Sequence, residues 1–255
     1  MQQEYVDPCE VLEWDTRFFG FRIARVRGDT LTQDQAKNID TWCRQHGVRC
    51  LYFLSRSDDA GTTRLAEASC FRLVDIRMTF EYKATSLRSA ESYANGTIIV
   101  RPSRLEDIPR LQIIAREIYQ DTRFYYDEHF SKHLCDSLYE TWIKRSCEGY
   151  ADVVFVAELN REAIGYVSCH LNNEPRTGRI GLVGVSSVAQ GRGIGRTLLL
   201  RACEWFLGQR VQEITVVTQG RNCAAQRLYQ QCGFLTRTVQ LWYHKWYTPS
   251  GVANG

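Results

Sequence analysis

The stretch from Gly181 to Thr197, GLVGVSSVAQGRGIGRT, constrains the fold more than any other part of the chain. An apolar run containing Val183 and Val185 is typical of a strand, and glycines within a strand indicate a bulge or a close approach by a ligand or another backbone. A glycine-rich loop follows and leads into LLLRACEWFL, which has the pattern of an amphipathic helix. Because main-chain N–H groups at the start of a helix favour an anion, the stretch predicts a pyrophosphate site.

Two common phosphate-binding loops do not fit this stretch. A Walker loop ends in Gly-Lys-Ser/Thr, whereas Gly195 is followed by Arg196 and Thr197. A dinucleotide fingerprint has the spacing G-x-G-x-x-G and an acidic residue that ends the next strand. Here the spacing is G-x-G-x-G, and Glu213 precedes the strand ITVV instead of ending it.

A second patterned segment lies downstream, QEITVVTQGRNCAAQRLYQQCGF, and predicts a strand, a turn and a helix. Asn222 stands where a helix N-cap is expected. Leu228 and Tyr229 fall at helical spacing, and Gly233 is a suitable residue to end the helix.

Together the two segments resemble the GCN5-related N-acetyltransferase (GNAT) superfamily. The motifs on which this resemblance depends are Q-G-R-G-I-G at 190–195 and N-x-x-A-x-x-L-Y-x-x-x-G-F at 222–234. The resemblance implies an α/β (α+β) fold, with a mixed, mostly antiparallel sheet and helices on both faces. It also implies acetyl-CoA or another acyl-CoA as co-substrate, with no metal.

The resemblance assigns site residues as well. In this family the bulged strand lies beside the pantetheine arm, and the loop holds the CoA pyrophosphate. The predicted cofactor-binding residues are Val183, Val185, Gln190, Gly191, Arg192, Gly193, Ile194, Gly195, Arg196, Thr197 and Asn222. Tyr229 resembles the general acid that protonates the CoA sulfur, since a phenol stays protonated at pH 7. The structural alternatives are a glycine turn that caps a helix, an Asn222 that is only a cap, and a tyrosine in the core.

Composition excludes several other functions. A net charge of +3 over 255 residues is too small for a nucleic-acid-binding face, so the surplus cations are assigned to anionic small molecules. The ten cysteines include no C-x-x-C pair and match no zinc spacing. An acidic N-terminal region does not resemble a signal peptide, and no apolar run reaches membrane-spanning length. We therefore predict a cytoplasmic protein with no membrane or nucleic-acid partner; a homodimer is compatible with the sequence.

The chain is predicted to contain two domains. The predicted boundaries are 1–83 for a small α/β domain, 84–97 for a polar linker that ends in Asn-Gly, 98–248 for the acyltransferase domain, and 249–255 for a flexible tail. The first domain is expected to run β-β-α-β-α-β, with 9–27 forming a strand, a turn at Gly20 and a strand. Residues 50–83 align with 213–246 without a gap, so the first domain resembles half of a GNAT fold; duplication and convergence both explain this similarity.

The acceptor is expected to bind at the loop YQDTRFYYDEHFSKH. Arg123 offers a planar fork for a phosphate, and Phe124, Tyr125 and Tyr126 can stack on a pyrimidine base, although aromatic residues also pack loops onto a sheet. With WDTRFFGF at 14–21, this loop resembles a narrower group of nucleotide-sugar acetyltransferases, the TDP-fucosamine type. That resemblance implies transfer to the amine of a dTDP-linked 4-amino-4,6-dideoxygalactose for surface polysaccharide.

Several points stay open at the level of sequence. The general base has four candidates, His170, His244, Asp127 and Glu128, and a water chain is an alternative to all of them. Alternative functions are the same transfer to a 3-amino-3,6-dideoxy sugar, a longer donor such as hydroxybutyryl-CoA, a protein or antibiotic amine as acceptor, and a CoA-binding module without turnover.

Overall fold

The computed structural model describes residues 7–83, 98–173 and 176–248, so the predicted linker 84–97 and tail 249–255 lie outside the described residues. The elements up to residue 83 are β1 (Cys9–Val11), α1 (Glu13–Phe19), β2 (Ile23–Val26), α2 (Gln33–Gln45), β3 (Cys50–Arg56), α3 (Ala60–Ala68) and β4 (Arg72–Lys83). The elements after residue 97 are β5 (Ile98–Pro102), α4 (Ile108–Ile118), α5 (Arg123–Tyr126), α6 (Lys132–Arg145), β6 (Val153–Leu159), β7 (Glu162–Asn173), β8 (Arg176–Val185), α7 (Ile194–Gly208), β9 (Glu213–Gln219), α8 (Cys223–Gln231) and β10 (Leu235–Trp246). None of the helices in these ranges is both long and apolar enough to cross a membrane.

The chain divides into two compact units, each assembled from separated segments. The first unit contains Met1–Arg77, Tyr126–Phe130 and Val239–Gly255, and the second contains Met78–Tyr125 and Ser131–Thr238. This division differs from the predicted boundary at residue 83. The physical reason is that Phe80 and Tyr82 of β4 are buried in the apolar core of the second unit.

In the first unit the strand order is β1-β2-β3-β10, with β2 parallel to β3 and β3 antiparallel to β10. Helix α2 begins at a reciprocal capping box formed by Thr32 and Gln35. The apolar side of this helix packs in one core with β3 and the end of β10.

The prediction of a strand, a turn and a strand for 9–27 is wrong at α1. Seven residues there form a helix that ends at Gly20, whose φ of 79° allows its N–H to bond the Thr16 carbonyl. No side chain caps the start of α1, at Leu12, so the acidic residues Glu13 and Asp15 in its first turn are the signal that remains for its start. The predicted order of elements therefore lacked one helix.

In the second unit the strand order is β4-β9-β8-β7-β6-β5. Strands β5 to β8 pair antiparallel, whereas β8 and β9 are parallel, so the sheet is mixed as predicted. The hairpin between β6 and β7 turns at Asn160 and Arg161, whose φ angles of 52° and 66° fit a tight hairpin turn. Helices α4 and α7 both contact β7 and β8.

Candidate active site

Strand β8 contains a bulge at the expected position. Val167 of β7 pairs with Val183, but Cys169 pairs with Ile180, so β8 has one more residue than β7 over this stretch. A bulge of this kind bends the strand and leaves one residue outside the regular ladder.

The two glycines flanking the bulge lie where no side chain fits. A Cβ on Gly181 would lie 2.5 Å from His170 Nε2, and one on Gly184 would lie 2.6 Å from Ile118 Cδ1 and 2.7 Å from Tyr166 Cζ. The predicted bulge is therefore confirmed, and the groups that approach these glycines are side chains instead of the predicted ligand or backbone.

Beyond the bulge, β8 presents one open backbone edge. Pairing with β9 reaches Ile180 and Val216, although β8 continues to Val185 and β9 to Gln219. Gly184 pairs with Tyr166 of β7, so strand alternation turns the backbone groups of Val183 and Val185 toward the β9 side.

Side chains already bond the two carbonyl groups on this edge. The Tyr119 hydroxyl donates to the Val183 carbonyl at 2.8 Å, and Gln190 Nε2 donates to the Val185 carbonyl at 3.1 Å. The edge can therefore offer the N–H groups of Val183 and Val185 to an extended ligand.

The glycine loop then turns the chain into α7. Gly191 and Gly193 have φ angles of 75° and 79°, and a Cβ on either would have no neighbour within 4 Å. Gly193 occupies the N-cap position of α7, and no described side chain caps this helix. The first-turn N–H groups therefore remain available to an anion.

The other predicted loop residues occupy different environments. Gln190, Gly191, Arg192 and Gly193 are exposed, and Gly195, Arg196 and Thr197 are partly buried. The side chain of Ile194 is buried in the core, so only its backbone can contact a ligand.

Helix α8 presents Asn222 and Tyr229 as the sequence predicts for a capped helix. The Asn222 Oδ1 accepts from the Ala225 N–H at 3.0 Å, so its role as a cap is confirmed. Tyr229 is 4% exposed, and its ring lies edge-on to Phe80 at 5.7 Å and tilted to Phe234 at 6.1 Å. Burial raises the pKa of the Tyr229 phenol above its ordinary value, so the group stays protonated at neutral pH.

Sequence reasoning missed two side chains that support the bulged strand. The Tyr119 ring stacks on Tyr139 at 4.3 Å, and its pKa is raised by burial and by the nearby Tyr166 and Tyr229. Ser168 of β7 is fully buried and bonds the bulge itself. Neither belongs to a motif, because each acts through a partner that is distant in sequence.

The residues predicted to bind the acceptor substrate lie in different environments. The Arg123 guanidinium lies 4.5 Å from the centre of the Phe124 ring. Phe124 is only 3% exposed, which argues against the predicted stacking on a base and in favour of packing. The Tyr125 hydroxyl donates to Asp136, whereas Tyr126 in the first unit is 58% exposed.

Two candidates for the general base meet in the first unit. His244 Nδ1 lies 2.7 Å from Asp127 Oδ2, and this carboxylate also accepts from Trp246 Nε1 and His129 Nδ1, each at 2.8 Å. Burial favours a higher pKa for Asp127, but the hydrogen bonds from His244, Trp246 and His129 outweigh it and lower the pKa. His244 is buried, and the arrangement has the character of a structural network.

The other two candidates lie apart from this network. Glu128 is exposed. His170, in the second unit, has its pKa lowered to about 4 by burial and by the charge of Arg179, so it is neutral at pH 7.

Comparison with known proteins finds one matching family and several similar sequences. Residues 115–234 match the acetyltransferase (GNAT) family. Over 242 residues, 92% of this chain, the sequence is 24% identical to dTDP-fucosamine acetyltransferase from Escherichia coli O6:H1, covering 97% of that protein. Over 133 residues, 52% of this chain, it is 29% identical to spore coat polysaccharide biosynthesis protein SpsD from Bacillus subtilis, and that match spans only 45% of the relative's length.

A solved structure has the same fold. The GCN5-related N-acetyltransferase from Sphaerobacter thermophilus superimposes with a TM-score of 0.66 at 18% identity, covering 94% of this chain and 76% of that one. Residues 115–234, which include the bulged strand and the glycine loop before α7, therefore match the GNAT acetyltransferase family.

Proposed function

We propose that this chain is a CoA-dependent N-acetyltransferase. The observation that carries the proposal is the open β8 edge at Val183 and Val185, which leads through the glycine loop into the uncapped start of α7. A strand edge suits the amides of a pantetheine arm, and the helix start suits a pyrophosphate. Acetyl-CoA supplies the acyl group as a thioester.

The protein's own residues then have distinct roles. Backbone N–H groups on β8 hold the donor and polarise its carbonyl, and the loop from Gln190 to Thr197 holds the phosphates. Tyr229 gives its proton to the departing thiolate. The neutral amine attacks the thioester directly in a ternary complex, without a covalent intermediate on the enzyme, and the proton that its nitrogen loses passes through water to solvent.

The acceptor we propose is a dTDP-linked amino sugar of the 4-amino-4,6-dideoxygalactose type, used for surface polysaccharide. Support comes from the dTDP-fucosamine acetyltransferase that matches nearly the whole chain, and from the polysaccharide biosynthesis protein among the relatives. Arg123 is the proposed contact to the diphosphate, and stacking of Tyr126 on the base stays a prediction of the sequence. A cytoplasmic location and a homodimer remain predictions of the sequence.

Thiol release from acetyl-CoA, measured over a panel of dTDP- and UDP-linked 3- and 4-amino sugars, tests the proposal. We expect the highest kcat/KM with the dTDP-linked 4-amino sugar. A preference for a 3-amino sugar, or for hydroxybutyryl-CoA as donor, would move the assignment to that reaction. Tight CoA binding without sugar-dependent release would identify a binding module or a different acceptor.

A further inference from the structure

We propose that Ser168 is a positioning residue that holds the β8 bulge in the shape required by the acyl donor, with His170 holding Ser168 in turn. The inference rests on the proposed function, because it assigns a support to the strand edge that binds the donor. All the contacts that carry it lie in the second unit.

The bulge creates a need for a hydrogen-bond acceptor. Where β8 gains a residue over β7, one N–H group leaves the regular ladder, and an unsatisfied buried donor is costly. The Leu182 N–H donates to Ser168 Oγ at 2.8 Å, and Ser168 has no exposed surface. A side-chain oxygen thus replaces the backbone acceptor that the ladder does not provide.

His170 is suited to fix the direction of this hydroxyl. A serine hydroxyl that accepts from Leu182 still has its own proton to donate, and His170 Nε2 lies 3.5 Å from Ser168 Oγ. The imidazole must be neutral to accept at Nε2. Burial and the Arg179 charge lower its pKa to about 4, although Asp152 and a hydrogen bond from the imidazole to the Tyr150 backbone act in the opposite direction.

The pair lies directly against the bulge. A Cβ on Gly181 would be 2.7 Å from Ser168 Oγ and 2.5 Å from His170 Nε2, so glycine is required for the strand to approach them. Tyr119 fixes the next residue along from Leu182 by donating to the Val183 carbonyl. The backbone between Leu182 and Val183 is therefore held by Ser168 at one residue and by Tyr119 at the other.

The test compares Ser168→Ala with Ser146→Ala in the full chain. Ser146 is a matched control, because its buried hydroxyl donates to the Trp142 carbonyl within a helix. We measure CoA affinity by calorimetry, kcat with acetyl-CoA and dTDP-4-amino-4,6-dideoxygalactose, and exchange of the Leu182 amide hydrogen by NMR.

For Ser168→Ala we expect kcat to fall about 5- to 100-fold, as for loss of one buried hydrogen-bond partner. We expect the CoA dissociation constant to change less than about threefold, because the phosphate loop is untouched, and Leu182 exchange to accelerate at least about tenfold. Ser146→Ala should leave all three measurements near wild type. A folded Ser168→Ala protein with wild-type kcat and unchanged Leu182 exchange overturns the inference.

His170→Phe provides a second variant that leaves Ser168 in place. It should lower kcat by a smaller factor, and Ser168→Ala should have less effect in the His170→Phe background than in the wild type. Fully additive effects would remove His170 from the assignment. Failure of the wild-type protein to bind CoA would instead contradict the proposed function, and Leu182 exchange would still report on the Ser168 bond.

Discussion

At the scale of single residues, Tyr229 has the protonation state that its proposed role as general acid requires. Replacing it with phenylalanine keeps the ring against Phe80 and Phe234 and deletes only the hydroxyl. We expect kcat to fall about 10²-fold, toward the lower end of general acid catalysis, because a thiolate is a tolerable leaving group without help. CoA affinity should stay near that of the wild type.

Tyr82→Phe is the matched control for this prediction. Tyr82 is another buried tyrosine of the same core, and its ring lies 5.3 Å from Phe234. Loss of the Tyr82 hydroxyl in this variant should leave kcat within about twofold of wild type. The deficit of Tyr229→Phe should also shrink with a thioester whose thiol is more acidic, and equal kcat deficits in both variants would show that Tyr229 acts only in packing.

Replacement of Arg123 tests its proposed contact with the diphosphate of the acceptor. Its guanidinium is held over Phe124 near the start of α5, where it is proposed to bind the remote diphosphate. Arg123→Ala should raise the KM for the nucleotide sugar about tenfold, with little change for acetyl-CoA. Arg104→Ala removes an exposed arginine elsewhere in the second unit and serves as control. An equal loss with the free amino sugar would mean that Arg123 supports the loop and does not bind phosphate.

At the scale of elements, replacing a glycine should weaken CoA binding in the loop before α7 but not in the last turn of α7. Gly193 has a positive φ, which a β-branched residue adopts only with strain, and it adjoins the open N–H groups of α7. Gly193→Val should weaken CoA binding at least about tenfold by calorimetry, and weaken sugar binding much less. Gly208→Val, in the last turn of α7, is the control, since a Cβ there meets nothing within 4 Å. Unchanged CoA affinity in a folded Gly193→Val protein would show that the loop only caps the helix and does not bind CoA.

Local chemistry explains which elements could be predicted from sequence. Helix α8 carries its own cap at Asn222 and its own stop at Gly233, whose φ is 88°. The bulge is signalled by Gly181 and Gly184, because only a close neighbour makes glycine necessary there. These signals require no knowledge of distant parts of the chain.

Other features depend on tertiary partners. Helix α1 is short and lacks a side-chain cap, and its aromatic residues suit a strand as well as a helix. Whether Phe124 can stack on a base depends on its burial, and burial is set by packing against residues distant in sequence. The role of Ser168 depends on a bulge in a neighbouring strand.

At the scale of the whole molecule, the first unit is closed by segments far apart in sequence. Asp127 lies in the short segment Tyr126–Phe130, and its carboxylate accepts from His244 and Trp246, more than 115 residues away. Phe130 packs beside them, 4.7 Å from the Phe19 ring and 5.2 Å from the Trp246 ring. Phe19, in the segment 14–21, therefore contacts Phe130 of the acceptor loop, which their spacing in the sequence alone does not predict.

This network predicts how stability depends on pH. The folded pKa of Asp127 is lowered, so its contribution is complete above the unfolded value of about 3.9 and is lost as pH falls through the folded value. Asp127→Asn should reduce the free energy of unfolding by about 3 kcal/mol at pH 7, because an amide leaves buried donors without an ionised partner. Urea unfolding across pH 3 to 7 measures the difference between variant and wild type.

The difference should narrow below about pH 4, because the Asp127 carboxylate takes up a proton in the unfolded chain while it stays ionised in the folded protein. Glu128→Gln is the matched control, since it removes one negative charge from the neighbouring residue, which is exposed. Its effect should be small at every pH, because an exposed charge is screened by water and salt. If both variants lose the same stability, net charge is responsible; if the Asp127→Asn deficit is constant down to pH 3, the carboxylate does not hold the two segments together through its ionised form.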